Sequence, residues 1–228
     1  MIDISAVRTH HARKDIEEVA ALAAQYRFIN VHVLPCWVKE TAEMLRGVEG
    51  VYVGAPVGFP SGAATTLTKI AEAEQLLRDG VEEMDIVMNI GKFKSGEERY
   101  VLNELREIIG MADGAVKTKV IIETRALSDD EVFRACDLVM KSGADFVKTG
   151  TGWIPGELDL QQVQRIKEHC GKNIRIKVAG GVRTREEFIA LAEMGVERIG
   201  INVASAIQIV NALNEKPYES QTLALSHD

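Results

Sequence analysis

The 228-residue sequence predicts a single closed (β/α)8 barrel. Short apolar segments typical of buried strands alternate with amphipathic helical segments at a spacing of roughly 25–30 residues. This alternation indicates parallel strands joined by helical crossovers. An open doubly wound sheet would also explain it. We favour the closed barrel because glycine-bearing loops follow several of the strands, not only one.

Seven apolar segments are predicted to be strands, and a short N-terminal segment completes the barrel as the eighth. The seven lie at 28–34, 51–57, 84–88, 119–123, 146–148, 174–178 and 198–201. The eighth is Ile2-Asp3-Ile4, which is short but able to pair beside the others.

Helical segments with one apolar face lie between these strands. The first has its apolar residues on one face of residues 16–26, and we expect Asp15 to cap it. The others lie at about 37–46, 66–79, 97–113, 129–142, 159–169, 185–194 and 203–214. We expect residues 1–215 to form the barrel and residues 216–228 to form a polar C-terminal tail.

The composition narrows the cellular context and the partners. A net charge of −7 and a pI near 5.4 argue against nucleic acid or an anionic membrane as a partner. We expect a cytoplasmic protein because the sequence contains no long apolar run and no signal segment. The three widely spaced cysteines, Cys36, Cys136 and Cys170, are expected to be free thiols. A homodimer is one assembly that the sequence leaves open.

Two lysines near the ends of predicted strands are each followed by a glycine-containing loop. Lys148 ends the segment 143–148, and Lys177 lies within 174–178. Burial disfavours the charged form of a lysine, and a second ammonium group nearby lowers its pKa further. A neutral amine attacks carbonyl carbons, which is how Schiff-base lysines act. Either lysine alone is explained more simply by a strand emerging into solvent, but the matched pair favours the chemical interpretation.

Asp85 lies between apolar residues in the predicted strand 84–88. A carboxylate in that setting is costly unless it is paired, and a strand lysine is its natural partner. The alternative is a structural ion pair. Asn89 falls on the same strand face and is a candidate polar member of the same site.

Two further polar residues lie in predicted strands. Glu123 ends the strand 119–123 and could line the barrel mouth or brace a lysine; the sequence favours neither. His32 lies in an apolar strand and is more simply a core or mouth histidine than a catalytic one. The histidines and cysteines show no metal-ligand spacing, so we expect no metal and no cofactor.

Glycine loops near the end of the chain suggest an anion site. Gly180 and Gly181 precede a predicted helix, and Gly200-Ile201-Asn202 precedes the last one. Free N–H groups at helix starts bind anions, and barrels often hold a phosphate between the final βα loops. We include Gly150, in the loop after Lys148, among the substrate-binding residues. Glycine also simply permits tight turns.

The same segments resemble the deoxyribose-phosphate aldolase family, which comprises class I aldolases of the (β/α)8 fold. The resemblance extends from about Val51 to Gly200. It is carried by VGFP at 57–60, DIVMNIG at 85–91, KSG at 94–96, KVIIET at 119–124, GADFVKT at 143–149 and KVAGGVRT at 177–184.

The resemblance implies a role for each of three residues. Lys148 would form the Schiff base, Lys177 would adjust its pKa and move protons, and Asp85 would be the acid–base partner of Lys177. The two late glycine loops would bind the phosphate. The implied substrates are a small aldehyde and a sugar phosphate, with reversible cleavage of 2-deoxyribose 5-phosphate to acetaldehyde and glyceraldehyde 3-phosphate.

Four positions depart from the family pattern. The first strand, usually Asp-His-Thr, reads Asp3-Ile4-Ser5, and the second, usually Cys-Val-Asn-Pro, reads His32-Val33-Leu34-Pro35. Asn202-Val203 stands where serines usually contact the phosphate, and Arg125 stands where a small residue is common. We expect the reaction type to be retained and the substrate contacts to differ, with Arg125 a candidate for binding a second anionic group.

Two alternatives remain open from the sequence. The chain could be another phosphosugar barrel enzyme, an isomerase or a decarboxylase, in which Lys148 acts only electrostatically. It could also be a sugar-phosphate binder that retains the fold without catalysis.

Overall fold

The computed structural model describes residues 1–215 and contains a closed barrel of eight parallel strands in sequence order. The strands are β1 (Ile2–Ala6), β2 (Asn30–Val33), β3 (Tyr52–Val57), β4 (Glu83–Val87), β5 (Lys117–Ile121), β6 (Phe146–Lys148), β7 (Arg175–Ala179) and β8 (Arg198–Asn202). The predicted fold is confirmed. The predicted tail at 216–228 lies outside the described residues.

Strand β1 closes the barrel by pairing on both of its edges. Its Asp3 is in register with Asn30 of β2 and with Gly200 of β8. The short N-terminal segment is therefore the eighth strand, as the sequence predicts.

Helices surround the barrel. They are α1 (Arg13–Tyr26), α2 (Val38–Met44), α3 (Thr66–Arg78), α4 (Ile90–Lys94), α5 (Glu98–Met111), α6 (Asp129–Ser142), α7 (Leu160–Cys170), α8 (Arg185–Glu193) and α9 (Val203–Glu215). The short α4 is absent from the sequence prediction. Short 3-10 turns at Pro35–Trp37 and Thr124–Ala126 begin two of the connections. None of the helices within residues 1–215 is long and apolar enough to span a membrane.

Two helix starts differ from the sequence prediction. The N-cap of α1 is Ala12, and the side chain of Asp15 instead accepts a hydrogen bond from the Ala12 N–H at 2.7 Å.

Asn89 does not join the site of Asp85. Its side chain caps α4 by accepting from the Lys92 N–H at 3.1 Å, because β4 has already ended at Val87.

The two faces of the strands are buried for different reasons. Apolar strand residues such as Ile4, Ile86 and Val147 are fully buried and belong to the core formed with the helices. Charged strand residues contact one another between strands that are not neighbours, so they lie inside the barrel. Arg198 of β8, for example, donates to Glu83 of β4 at 2.7 Å. Barrel interiors are usually filled by branched apolar side chains, and this one is ionic.

Candidate active site

Asp85 lies at the centre of the barrel and binds both lysines that the sequence singles out. Its Oδ2 atom accepts from Lys148 Nζ at 2.6 Å and from Lys177 Nζ at 2.9 Å. Asp85 is completely buried, while Lys148 and Lys177 are 7% and 2% exposed. The structure thus brings together all three predicted catalytic residues from strands β4, β6 and β7.

A second layer of ions holds this group in place. Lys177 also contacts Asp3 at 2.7 Å, and Lys119 contacts both Glu83 at 2.5 Å and Asp85 at 3.4 Å. Arg198 bridges Asp3 and Glu83, with 2.7 Å to each. The sequence pattern does not predict these four partners. Their only signal is a charged residue within an apolar strand, which does not reveal the partner.

The charges of the network balance when Lys148 is neutral. It contains three carboxylates and, counting Lys148, four lysine or arginine side chains. Burial lowers the pKa of Lys148 to about 8; the Asp85 carboxylate opposes this shift, and the Lys177 ammonium adds to it. A lysine with that pKa is roughly one-tenth neutral at pH 7, whereas an ordinary lysine is neutral to well under one part in a thousand. Lys148 is therefore suited to act as a nucleophile.

Lys177 has the opposite electrostatic balance. Burial alone would lower its pKa, but the carboxylates of Asp3 and Asp85 outweigh this effect and raise it. Burial would raise the pKa of Asp3, yet Lys177 and its other cationic neighbours hold it at about 2. Asp3 and Lys177 are thus an ion pair at neutral pH, and Lys177 supplies the fixed positive charge beside Lys148.

His32 contacts the same carboxylate oxygen as the two lysines. Its Nε2 atom is 3.3 Å from Asp85 Oδ2, and its Nδ1 atom is 2.9 Å from Asn30 Oδ1. Burial holds the pKa of His32 well below its ordinary value, so the ring is neutral at pH 7. Gly54 makes room for it, since a Cβ at that position would lie 2.2 Å from His32 Nδ1.

A cavity of about 340 Å³, called the main cavity below, opens above these side chains at the carboxyl ends of the strands. Lys148, Lys177 and His32 line it, as do the predicted phosphate-binding residues Gly180, Gly181, Gly200 and Asn202. The reactive amine and the glycine loops therefore face one compartment.

The Gly180-Gly181 loop requires glycine for steric reasons. Both residues have positive φ, 91° and 97°, and a Cβ on Gly181 would lie 2.9 Å from the Leu158 nitrogen. Their N–H groups donate to no other residue within the described 1–215, and α8 follows after the Thr184 N-cap. The loop thus offers free backbone donors at the cavity wall.

Residues 39–205 match the DeoC/LacD family of aldolases. The chain belongs to this family. The match covers more than half of the chain and includes Asp85 and the two lysines that bind it, Lys148 and Lys177. It confirms the resemblance seen in the sequence, and it favours a lyase over the isomerase, decarboxylase and binder alternatives.

Similar proteins extend the relationship over nearly the whole barrel. The aldolase is 39% identical over 219 residues to a deoxyribose-phosphate aldolase of Klebsiella pneumoniae, covering 95% of this chain and 88% of that one. It is 41% identical over 210 residues to one of Rhizobium meliloti, covering 92% and 84%.

Solved structures agree with the sequence relatives. The aldolase QR15 superimposes with a TM-score of 0.86 at 35% identity, covering 93% of this chain and 94% of that one. The deoxyribose phosphate aldolase of Aeropyrum pernix, described as tetrameric, gives 0.84 at 25% identity, covering 93% and 89%.

Two predicted substrate-binding residues, Gly150 and Asn202, differ from the others in their surroundings, and their binding role stays a prediction. Gly150 does not line the main cavity; it lies beside a smaller one of about 160 Å³, where a Cβ would be 2.9 Å from Glu123 Oε1. Asn202 lines the main cavity, and its amide also makes local hydrogen bonds. It donates to Ser205 Oγ and accepts from the Ser205 N–H, both at 2.9 Å, and so caps α9.

Glu123 neither lines the main cavity nor braces a lysine. It accepts hydrogen bonds from the Thr151 N–H at 3.1 Å and from the Thr151 hydroxyl, and it adopts the left-handed conformation with φ of 53°. Its carboxylate therefore fixes the loop that follows Lys148.

Arg125 also braces that loop. Its guanidinium donates to the carbonyl oxygens of Ile154, Gly156 and Glu157, each at 2.8 Å. These bonds use three of the five N–H donors of Arg125, which lines the smaller cavity beside Gly150. Its expected role of binding a second anionic group stays a prediction.

We expect the aldolase to work without a metal ion. Across residues 1–215, no three or more His, Cys, Asp or Glu side chains are grouped so as to hold one. Dialysis against excess EDTA should therefore leave kcat unchanged, with a zinc-dependent aldolase treated in parallel as a positive control for chelation. Activity that disappears with EDTA and returns with zinc would contradict this expectation.

Proposed function

We propose that this aldolase is a deoxyribose-phosphate aldolase that cleaves 2-deoxyribose 5-phosphate reversibly through a Schiff base on Lys148. One observation carries the proposal: a single buried carboxylate, Asp85, binds two lysines, and only one of them, Lys148, has a lowered pKa, of about 8. The names of the K. pneumoniae and R. meliloti relatives support the choice of substrate.

The first step is addition of neutral Lys148 to the aldehyde carbon of the open-chain sugar. The carbonyl oxygen takes a proton while the attacking nitrogen loses one, which gives a neutral carbinolamine. Its hydroxyl leaves as water after a second protonation, and the nitrogen lone pair forms the C=N bond of the iminium ion. The nitrogen supplies one of the two protons, and Lys177, whose ammonium shares the Asp85 oxygen with Lys148, is the group placed to donate the other.

Cleavage uses the iminium ion as an electron sink. A base removes the proton of the C3 hydroxyl, the C3–O bond becomes a carbonyl, and the C2–C3 bond breaks. Its electron pair forms the enamine, and glyceraldehyde 3-phosphate leaves. Protonation of the enamine at C2 and hydrolysis of the resulting iminium ion release acetaldehyde and regenerate Lys148.

Asp85 is the base that the geometry favours, acting through a water molecule because it is completely buried. Once Lys148 carries the substrate, Asp85 still contacts Lys177 and lies 3.3 Å from the neutral His32 ring. A proton that reaches this carboxylate can pass to the neutral His32 ring, or to Lys177 once Lys177 has donated its own proton. Either transfer returns Asp85 to its charged form.

Covalent trapping tests the proposal directly. Acetaldehyde with borohydride should leave an ethyl group on Lys148, located by peptide mass, and 2-deoxyribose 5-phosphate should inactivate the enzyme under the same conditions. The trapping rate should increase about tenfold per pH unit up to pH 8 and then level off, because only the neutral amine reacts.

Lys148→Met is the matched control for trapping, since it keeps the length and apolar stem of the side chain. It should give neither adduct nor turnover. An adduct at another lysine, or turnover that persists in Lys148→Met, would overturn the mechanism. Repeating the assay without acetaldehyde identifies any modification that does not come from it.

The location and assembly of this aldolase stay predictions. Cytoplasmic location is consistent with the described helices, none of which could span a membrane. The homodimer that the sequence leaves open is untested, and the tetrameric A. pernix relative shows a different assembly for that protein.

A further inference from the structure

The loop between β1 and α1 places Arg8 at the mouth of the main cavity. Its Nη2 atom donates to the Gly152 carbonyl at 3.0 Å, and its guanidinium carbon lies 5.5 Å from the centre of the Trp153 ring. Phe59 packs edge-on against that ring, with 5.6 Å between centroids. The guanidinium of Arg8, in the loop after β1, is thus held against the loop that follows β6.

Arg8 forms no ion pair with a carboxylate in the part of the chain that the structure describes. By contrast, Arg13 is paired with Glu40 and Arg175 with Asp145, both at 2.8 Å. A guanidinium has five N–H donors, and the one bond to Gly152 leaves most of those of Arg8 available to a ligand.

The surroundings of Arg8 favour an anion. Arg183 lines the same cavity and is likewise without an ion pair among residues 1–215. Over the same described residues, the only acid lining the cavity is Asp3, which is buried and already bound to Lys177 and Arg198. The cavity mouth is therefore locally positive, although the whole chain carries a net charge of −7.

Arg8 is anchored next to the free backbone donors of the glycine loop. A Cβ on Gly180 would lie 3.4 Å from the Gly152 Cα, so the loop that anchors Arg8 is in contact with Gly180. In the loop after β8, which also lines the cavity, Val203 has no hydroxyl and Asn202 caps α9. The cavity thus offers backbone donors from the Gly180-Gly181 loop and no side-chain hydroxyl at position 203.

We infer that Arg8 binds the phosphate group of the substrate and supplies side-chain donors to a cavity in which Val203 has no hydroxyl. This inference rests on the proposed function. Arginine binds phosphate through two parallel N–H donors, which fixes orientation as well as adding affinity. Arg8 thereby positions a phosphorylated sugar with its aldehyde end toward Lys148 and disfavours sugars that lack the phosphate.

Substitution of Arg8 should separate phosphate recognition from chemistry. For Arg8→Gln, kcat/KM for 2-deoxyribose 5-phosphate should fall roughly 10- to 100-fold, mainly through KM, because a charged hydrogen-bonding partner is lost. For unphosphorylated 2-deoxyribose it should change less than about twofold. Arg8→Lys, which keeps the charge without the planar fork, should give an intermediate loss.

Arg13→Gln is the matched control, because Arg13 also lies over an indole, 5.8 Å from the Trp37 ring centre, but pairs with Glu40 away from the cavity. Arg13→Gln should leave kcat/KM unchanged for both 2-deoxyribose 5-phosphate and 2-deoxyribose. Equal losses for the two sugars in Arg8→Gln would overturn the inference, since Arg8 would then only hold the loops. No loss for either sugar would overturn it as well.

Inhibition by inorganic phosphate separates this inference from the proposed function. Inorganic phosphate should compete with sugar phosphates for the cavity. The dissociation constant of phosphate, measured by calorimetry, should rise about tenfold or more in Arg8→Gln. If the native chain does not cleave 2-deoxyribose 5-phosphate but phosphate binding weakens in this way, the proposed substrate is wrong and the role of Arg8 stands. Unchanged phosphate binding overturns the role of Arg8 whatever the substrate.

Discussion

Replacing Lys177 with methionine should lower kcat for 2-deoxyribose 5-phosphate by at least about 100-fold and shift Schiff-base formation on Lys148 to higher pH. The loss of rate follows from removing a charged proton donor that shares the Asp85 oxygen with Lys148. The shift follows from removing a positive charge that lowers the pKa of Lys148. With that charge gone, Lys148 keeps its proton above pH 8.

The measurement is the rate of borohydride-trapped adduct as a function of pH, alongside kcat. Lys172→Met is the control, because Lys172 is exposed and precedes β7, the strand that carries Lys177. It should reproduce the native pH profile. Near-native kcat with an unchanged profile in Lys177→Met would reduce Lys177 to a structural ion between Asp3 and Asp85.

The overall fold could be predicted because the alternation of apolar strands and amphipathic helices is a local pattern. The convergence of Lys148, Lys177 and Asp85 could be predicted too, since strand ends in a barrel meet at one face. The second layer could not. Whether Arg198 meets Glu83 across the barrel depends on the pairing register of strands that are distant in sequence.

The sequence was least informative in the loops. Glu123 and Gly150 follow or end strands as active-site residues do, yet a left-handed turn at Glu123 directs its carboxylate to Thr151. Arg8 was missed because it lies in a polar segment without periodicity. Its significance depends on Gly152 and Trp153, which are near it only in the folded chain.

Asp85→Asn should affect Lys148 in the opposite direction from Lys177→Met. The Asp85 carboxylate raises the pKa of Lys148, so its loss should move that pKa below 8. Adduct formation with acetaldehyde below pH 8 should then become faster than in the native enzyme. Turnover of 2-deoxyribose 5-phosphate should nevertheless fall by at least about 100-fold, because the buried base that accepts the substrate proton is gone.

The same substitution should be strongly destabilising. Removing one partner of a buried ion pair typically costs about 3–5 kcal/mol, because the remaining charge has no water and no counter-ion. Here the loss is offset in part, since Lys148 can lose its proton and Asp3 still holds Lys177 at 2.7 Å. We therefore expect Asp85→Asn to fall at the lower end of that range in urea unfolding.

Asp137→Asn provides the surface comparison for stability, because Asp137 pairs with His169 at 2.8 Å in a largely exposed position. Its cost should not exceed about 1 kcal/mol. The decisive comparison is between the pH profiles of Asp85→Asn and Lys177→Met, which should move to opposite sides of the native profile. Two shifts in the same direction would show that these neighbouring charges do not set the pKa of Lys148, and burial alone would then have to account for its reactivity.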